Sequence, residues 1–149
     1  MSEMRRKNIF LATLFSVFLT SYFFYISSDG IGAAKELTLG EHKILIREVF
    51  SDEDKAKGLS GVPNIKSNEG MLFVFDEPDY HSFWMKDMLF PIDIIWFDEN
   101  KKVVHIEKNV SPDTYPRGFT PGFPAQYVLE TNAGISEEYN VNLGDRAEW

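Results

Sequence analysis

Eighteen consecutive uncharged residues, Ile9 to Ile26, follow Arg5, Arg6 and Lys7 and set the terms for everything downstream. Leu, Phe, Ile and Val dominate the run, and Thr13, Ser16, Thr20 and Ser21 are its clearly polar members. As a helix it spans roughly 27 Å, close to the hydrocarbon thickness of a bilayer. A buried helix of a soluble domain has an apolar stripe, whereas this run is apolar all round. Basic residues before it and none just after orient the N-terminus inside and residues 30–149 outside. An uncleaved anchor and a removed signal peptide both remain open. A signal core is usually about 7–15 residues, which favours the anchor. The small residues of Gly30-Ile-Gly-Ala-Ala34 suit a peptidase. The expected division is a membrane segment and linker over residues 1–34, inserted through residues 9–26, and a domain over residues 35–149. That domain faces out of the cell membrane or, after cleavage, is secreted or periplasmic.

The outer domain holds 12 Lys and Arg against 21 Asp and Glu, a net charge of −9, and fifteen aromatic residues. Such an acidic balance argues against a nucleic-acid partner. The chain has no cysteine, which excludes a disulfide framework, a thiolate zinc site and a cysteine nucleophile. A domain of this size buries a core without such staples.

Period-two patterning dominates from Lys35 onward. His42 to Val49 sets Ile44 and Ile46 against Lys43, Leu45 and Arg47, and Met71 to Phe75 reads as a strand buried on both faces. Further strands are expected at Ser82–Asp87, Ile92–Phe97, Lys102–Glu107 and Gln126–Thr131, with a hairpin turn at Glu99-Asn-Lys101. Ser51 caps a short helix through Asp52-Glu-Asp54 that Gly58 ends, and a second begins near Ser136. The pattern predicts a mainly β domain, an antiparallel sandwich or barrel with one or two short helices. Residues 111–125 hold four of the seven prolines with Tyr115, Arg117, Phe119 and Phe123 among them, a long loop of the kind that serves function.

No catalytic motif stands out. Ser60 lies in Gly58-Leu-Ser-Gly61, which lacks the spacing and preceding strand of a nucleophile elbow, and reads as a turn serine. His42, His81 and His105 sit on separate segments without ligand spacing, so no metal or other cofactor is expected. His81 is the most interesting, beside Asp76, Glu77 and Asp79, although acids around a Pro78 turn are ordinarily solvated. Asp93 shares a face with Ile95 and Phe97, and a carboxylate in such company needs partners. Bonding backbone amides at a sheet corner is preferred over catalysis for it. Trp84 and Lys86 point together from their strand, either as a platform for stacking or an anion, or as a core tryptophan with a snorkelling lysine.

The series Gly58-Leu-Ser-Gly61, Gly70-Met-Leu-Phe-Val-Phe75, Phe83-Trp-Met-Lys86, Pro91-Ile-Asp-Ile-Ile95, Tyr127-Val-Leu-Glu130, Ala133-Gly134 and Gly144-Asp145 resembles the domain of unknown function 192 (DUF192) family. The resemblance runs from about Leu37 to Asp145. It implies a mainly β fold, a sandwich of the jelly-roll kind, often behind an N-terminal signal or single membrane segment, with no established activity. The family's hallmark polar positions map to Lys86, Asp93, Glu130 and Asp145. Many members carry Met where Ser60 stands, a further point against a nucleophile.

The expected function is a ligand-binding module at the cell envelope, with a glycan as one ligand, and Trp84, Lys86, Asp93, Tyr115, Arg117, Phe123 and Glu130 as candidate binding residues. The loop 111–125 and the strand Phe83–Lys86 are expected to form one site around Arg117 and Lys86. A small hydrolase using Asp93 and Glu130 as an acid–base pair, and a structural partner of an envelope complex, are the alternatives. The membrane reading predicts that the full-length protein stays with membranes through an alkaline carbonate wash, while external protease digests the acidic domain in spheroplasts. A soluble form beginning near Lys35 would instead establish cleavage.

Overall fold

The computed structural model describes residues 34–149, so the expected membrane segment, Ile9 to Ile26, lies outside the described residues. Among the described residues no helix is long and apolar enough to cross a membrane. Seven strands form one sheet: β1 (Lys35–Leu39), β2 (His42–Val49), β3 (Glu69–Asp79), β5 (Ile92–Phe97), β6 (Val103–Val110), β8 (Ala125–Asn132) and β9 (Ala147–Glu148). Two-residue strands β4 (Phe83–Trp84) and β7 (Gly118–Phe119) pair separately. Helix α1 (Asp52–Lys57) lies between β2 and β3, and α2 (Ile135–Glu138) follows β8.

The sheet order is β6-β5-β8-β3-β2-β1-β9, antiparallel throughout except where β2 runs parallel to β3. It curls into a half-barrel. On its far side the segment leading into β9 reaches the start of β6. There the Val103 amide donates to the Asp145 carbonyl (2.8 Å), and the Ala147 amide donates to the Lys101 carbonyl (2.9 Å). Trp149 packs edge-on against Phe97 and Tyr127, beneath the Lys101 ammonium at 4.1 Å.

Alternation divides the buried side chains between the two faces. Leu37, Ile44, Ile46, Leu72, Ile95, Phe97 and Leu129 fill one face together with Ile135 of α2. Met71, Phe73, Ile92, Ile94, Trp96 and Val128 fill the other, which is covered by Leu59 and Ile65 from the β2–β3 crossover and by Phe83, Met85, Met88 and Phe119. The expected two-sheet sandwich therefore gives way to a single curled mixed sheet covered by loops and short elements. Alternation reports which face is buried, not what covers it. The strand expected over Ser82–Asp87 is also shorter. After Trp84 the backbone is drawn to the 58–61 turn, where Lys86 accepts from the Ser60 hydroxyl (2.8 Å) and Asp87, at φ 55°, accepts from the Gly61 amide (2.8 Å).

Asp93 is fully buried and accepts four hydrogen bonds. Its Oδ1 takes the amides of Asn109 (2.8 Å) and Gly134 (3.1 Å), and its Oδ2 takes the amide (2.8 Å) and hydroxyl (2.6 Å) of Ser136. The Asn109 donor is exposed by an irregularity: Ile92 pairs with Val110 but Ile94 with Glu107, so β6 carries one extra residue and Asn109 adopts φ 52°. One carboxylate thus joins the bulge of β6 to the first turn of α2. Asp93→Ala leaves four donors without an acceptor and should cost at least about 3 kcal/mol in urea unfolding. An unchanged unfolding midpoint would refute this role.

Candidate functional site

The register of β8 decides where its acid points. Glu130 stands opposite Ile94 of β5 and Met71 of β3, on the face with Phe73 and Trp96, whereas Asp93 pairs with Thr131 and faces the other way. Asp93 and Glu130 are therefore separated by the sheet. The acid–base pair expected of them has no common cleft to act in.

Glu130 forms the floor of a pocket of 240 Å³ between the end of α1, the middle of β3 and the segment 81–84. Helix α1 forms because Ser51 caps it, its side chain accepting from the Asp54 amide (3.2 Å), and because Asp52, Glu53 and Asp54 suit its positive end. Gly58 closes it at φ 49°, its amide donating to the Asp54 carbonyl (2.8 Å). The same glycine makes room at the floor. A Cβ there would lie 3.2 Å from the Phe73 ring and 3.7 Å from Glu130 Oε2. Phe73, Phe75, Phe83 and Trp84 supply aromatic wall, and Ser60 and Ser82 supply hydroxyls.

The electrostatics of the pocket are unusual for this acidic domain. Glu130 is 4% exposed, and among the described residues its Oε2 has no hydrogen-bond partner. Burial pushes its carboxyl up from 4.5 to about 8, so it is mostly neutral at pH 7. Lys55, Lys57 and His81 also line the pocket, and Glu130 is the one acid among the lining residues. The Lys55 ammonium stands 4.7 Å from the Phe75 ring, on which the His81 imidazole stacks at 3.5 Å. The His81 carbonyl accepts from the Trp96 indole (3.0 Å), which fixes this connection to the core.

Of the seven residues expected from sequence, Trp84 and Glu130 line this pocket. Tyr115 lies beside it, edge-on to Trp84 at 6.2 Å, because β4 and β7 pair Trp84 with Gly118. Arg117 sits over Phe119 at 4.7 Å, and Lys86 and Phe123 are exposed. None of these last three, nor Asp93, is among the pocket residues. This pocket is built around Glu130, with Arg117 and Lys86 outside its lining. Sequence reasoning passed over Lys55, Lys57 and Phe75. The signal that pointed here was His81, read there as part of a solvated turn.

Glu130 also predicts a pH dependence of stability. The unfolded chain releases this proton near 4.5 and the folded chain near 8, so between those values the folded state binds more protons and loses stability as pH rises. Glu130→Gln should match the parent near pH 4 and gain on it up to pH 8, by a few kcal/mol at most. Parallel unfolding midpoints across that range would refute the assignment.

The same domain occurs in other proteins. The model of the DUF192 family, described as an uncharacterised ACR, matches residues 35–149. A UPF0127 protein of Pyrococcus furiosus is 35% identical over 69 residues, covering 46% of this chain and 53% of that protein. One from Thermococcus kodakarensis is 31% identical over 98 residues, covering 62% of this chain and 57% of that protein. The chain thus spans little more than half the length of these relatives. A crystal structure of a protein of unknown function from Novosphingobium aromaticivorans superposes with a TM-score of 0.74 at 28% identity, covering 78% of this chain and 85% of that one. A structure described as a putative transcription regulator from Sinorhizobium meliloti gives a TM-score of 0.71 at 27% identity, covering 76% and 89%. With its whole described domain matched by the family model, the chain belongs to the DUF192 family.

Proposed function

We propose that this domain is a ligand-binding module at the cell envelope, anchored through residues 9–26 with residues 35–149 outside, and that it holds a small sugar-like ligand in the Glu130 pocket. The observation that carries the reading is the unpartnered Oε2 of Glu130 at the floor of a 240 Å³ aromatic-walled pocket. A buried polar atom without a partner costs the folded chain about 1–3 kcal/mol, and a ligand that supplies the missing hydrogen bond recovers it. A concave lining with Phe73, Phe75, Phe83 and Trp84 beside a few convergent polar groups is the usual build of a small-molecule site. Trp84 supports a sugar in particular. It lines the pocket while 52% exposed, and with Tyr115 beside it offers a ring surface continuing outward. A hydrolase working through two flanking carboxylates draws no support from a pocket whose lining includes a single acid.

The test is a thermal-shift and calorimetric screen of the full-length protein against glucose, N-acetylglucosamine, glucuronate and their disaccharides. A ligand at a hundred times its Kd adds about 2.7 kcal/mol to stability. Trp84→Ala should weaken binding at least tenfold while leaving the melting temperature of the free protein nearly unchanged, since the indole is half exposed. A screen without any sugar binding, or binding indifferent to Trp84, would overturn the reading.

A further inference from the structure

The charge around the Glu130 pocket is opposite in sign to that of the domain. Residues 35–149 carry a net −9, yet Lys55, Lys57 and His81 line a pocket with one acid. Among the described residues neither Lys55 nor Lys57 forms an ion pair, and Lys55 is held against the Phe75 ring that forms the wall. The acids of α1 do not neutralise them within the pocket. Asp54 takes the Ser51 hydroxyl at 2.5 Å and lines a neighbouring hollow that shares Lys57 with this pocket, and Asp52 and Glu53 are not among the pocket residues. The charged and titratable groups lining the pocket are thus Lys55 and Lys57 from α1, His81 from the β3–β4 connection and Glu130 from β8.

We propose that the pocket selects an acidic small ligand, a carboxylate-bearing sugar, which pairs with Lys55 and Lys57 at the rim and accepts a hydrogen bond from the Glu130 carboxyl at the floor. This rests on the binding-module reading and names the ligand class for the same site. A neutral sugar leaves both ammonium groups unused, and a cationic one is repelled by them at close range in a partly desolvated pocket. A ligand carboxylate satisfies these groups at once: charge-assisted bonds from the lysines, and a bond from the neutral Glu130 O–H. Burial keeps that proton on Glu130 up to about pH 8. Above it two carboxylates would face one another, and binding must fall.

The experiment compares glucuronate, glucose and glucosamine by calorimetry on the full-length protein from pH 6 to pH 9.5. Glucuronate should bind at least tenfold more tightly than glucose at pH 7 and lose about tenfold in affinity per pH unit above 8, with proton uptake on binding there. Lys55→Met with Lys57→Met should bring the glucuronate-to-glucose ratio towards one. Glu130→Gln, neutral at every pH and still a donor, should flatten the decline above pH 8. Glucose binding as tightly as glucuronate through Trp84 would overturn the acidic-ligand inference and leave the binding module standing. Tightest binding of glucosamine, with proton release, would overturn it in favour of Glu130 as a counter-ion. Absence of binding by all three would overturn both.

Discussion

The parallel pairing of β2 with β3 is the constraint on which the site depends. Adjacent parallel strands cannot be joined by a tight hairpin, so the chain must travel back across the sheet before it pairs again. Residues 50–68 make that journey, and their return path lays α1, Leu59 and Ile65 over the face that carries Met71 and Phe73. The helix ends over Glu130, the buried acid of that face. Because the ending residue is Gly58, the space above Glu130 stays open. The pocket is thus what remains where a crossover meets a sheet without filling it.

Two buried acids on neighbouring strands show how context decides the role of one chemical group. Asp93 and Glu130 stand on opposite faces, Asp93 among four donors and Glu130 with an oxygen that has none. The first is spent on architecture, joining a bulge to a helix start. The second costs the fold energy for no structural return.

Much of the architecture was legible in local signals. Ser51 and Gly58 bound α1 where capping chemistry places its ends, and the alternation of Ile92 to Phe97 put Asp93 on the face it occupies. Its expected role, bonding backbone amides, is the one that three of its four bonds display, the fourth coming from the Ser136 hydroxyl. What was not legible was pairing. Periodicity cannot tell that β8 lies between β5 and β3, and without that register Glu130 and Asp93 read as neighbours with a common task. The pocket eluded sequence reasoning for the same reason. Its lysines sit in the last turn of a six-residue helix, and its histidine lies in an acidic turn, so neither stands out until the crossover brings them together.

The closure of the curl has a consequence for how the domain is made. β1 and β9 are the first and last strands of the domain, and they pair with each other while the segment before β9 also binds the start of β6. The β1–β9 contacts join residues separated by nearly the whole domain, so the chain must pay long-loop entropy before they form. A polypeptide emerging from the ribosome cannot complete this sheet until β9 is free of it. Until then β1 and the start of β6 lack these partners.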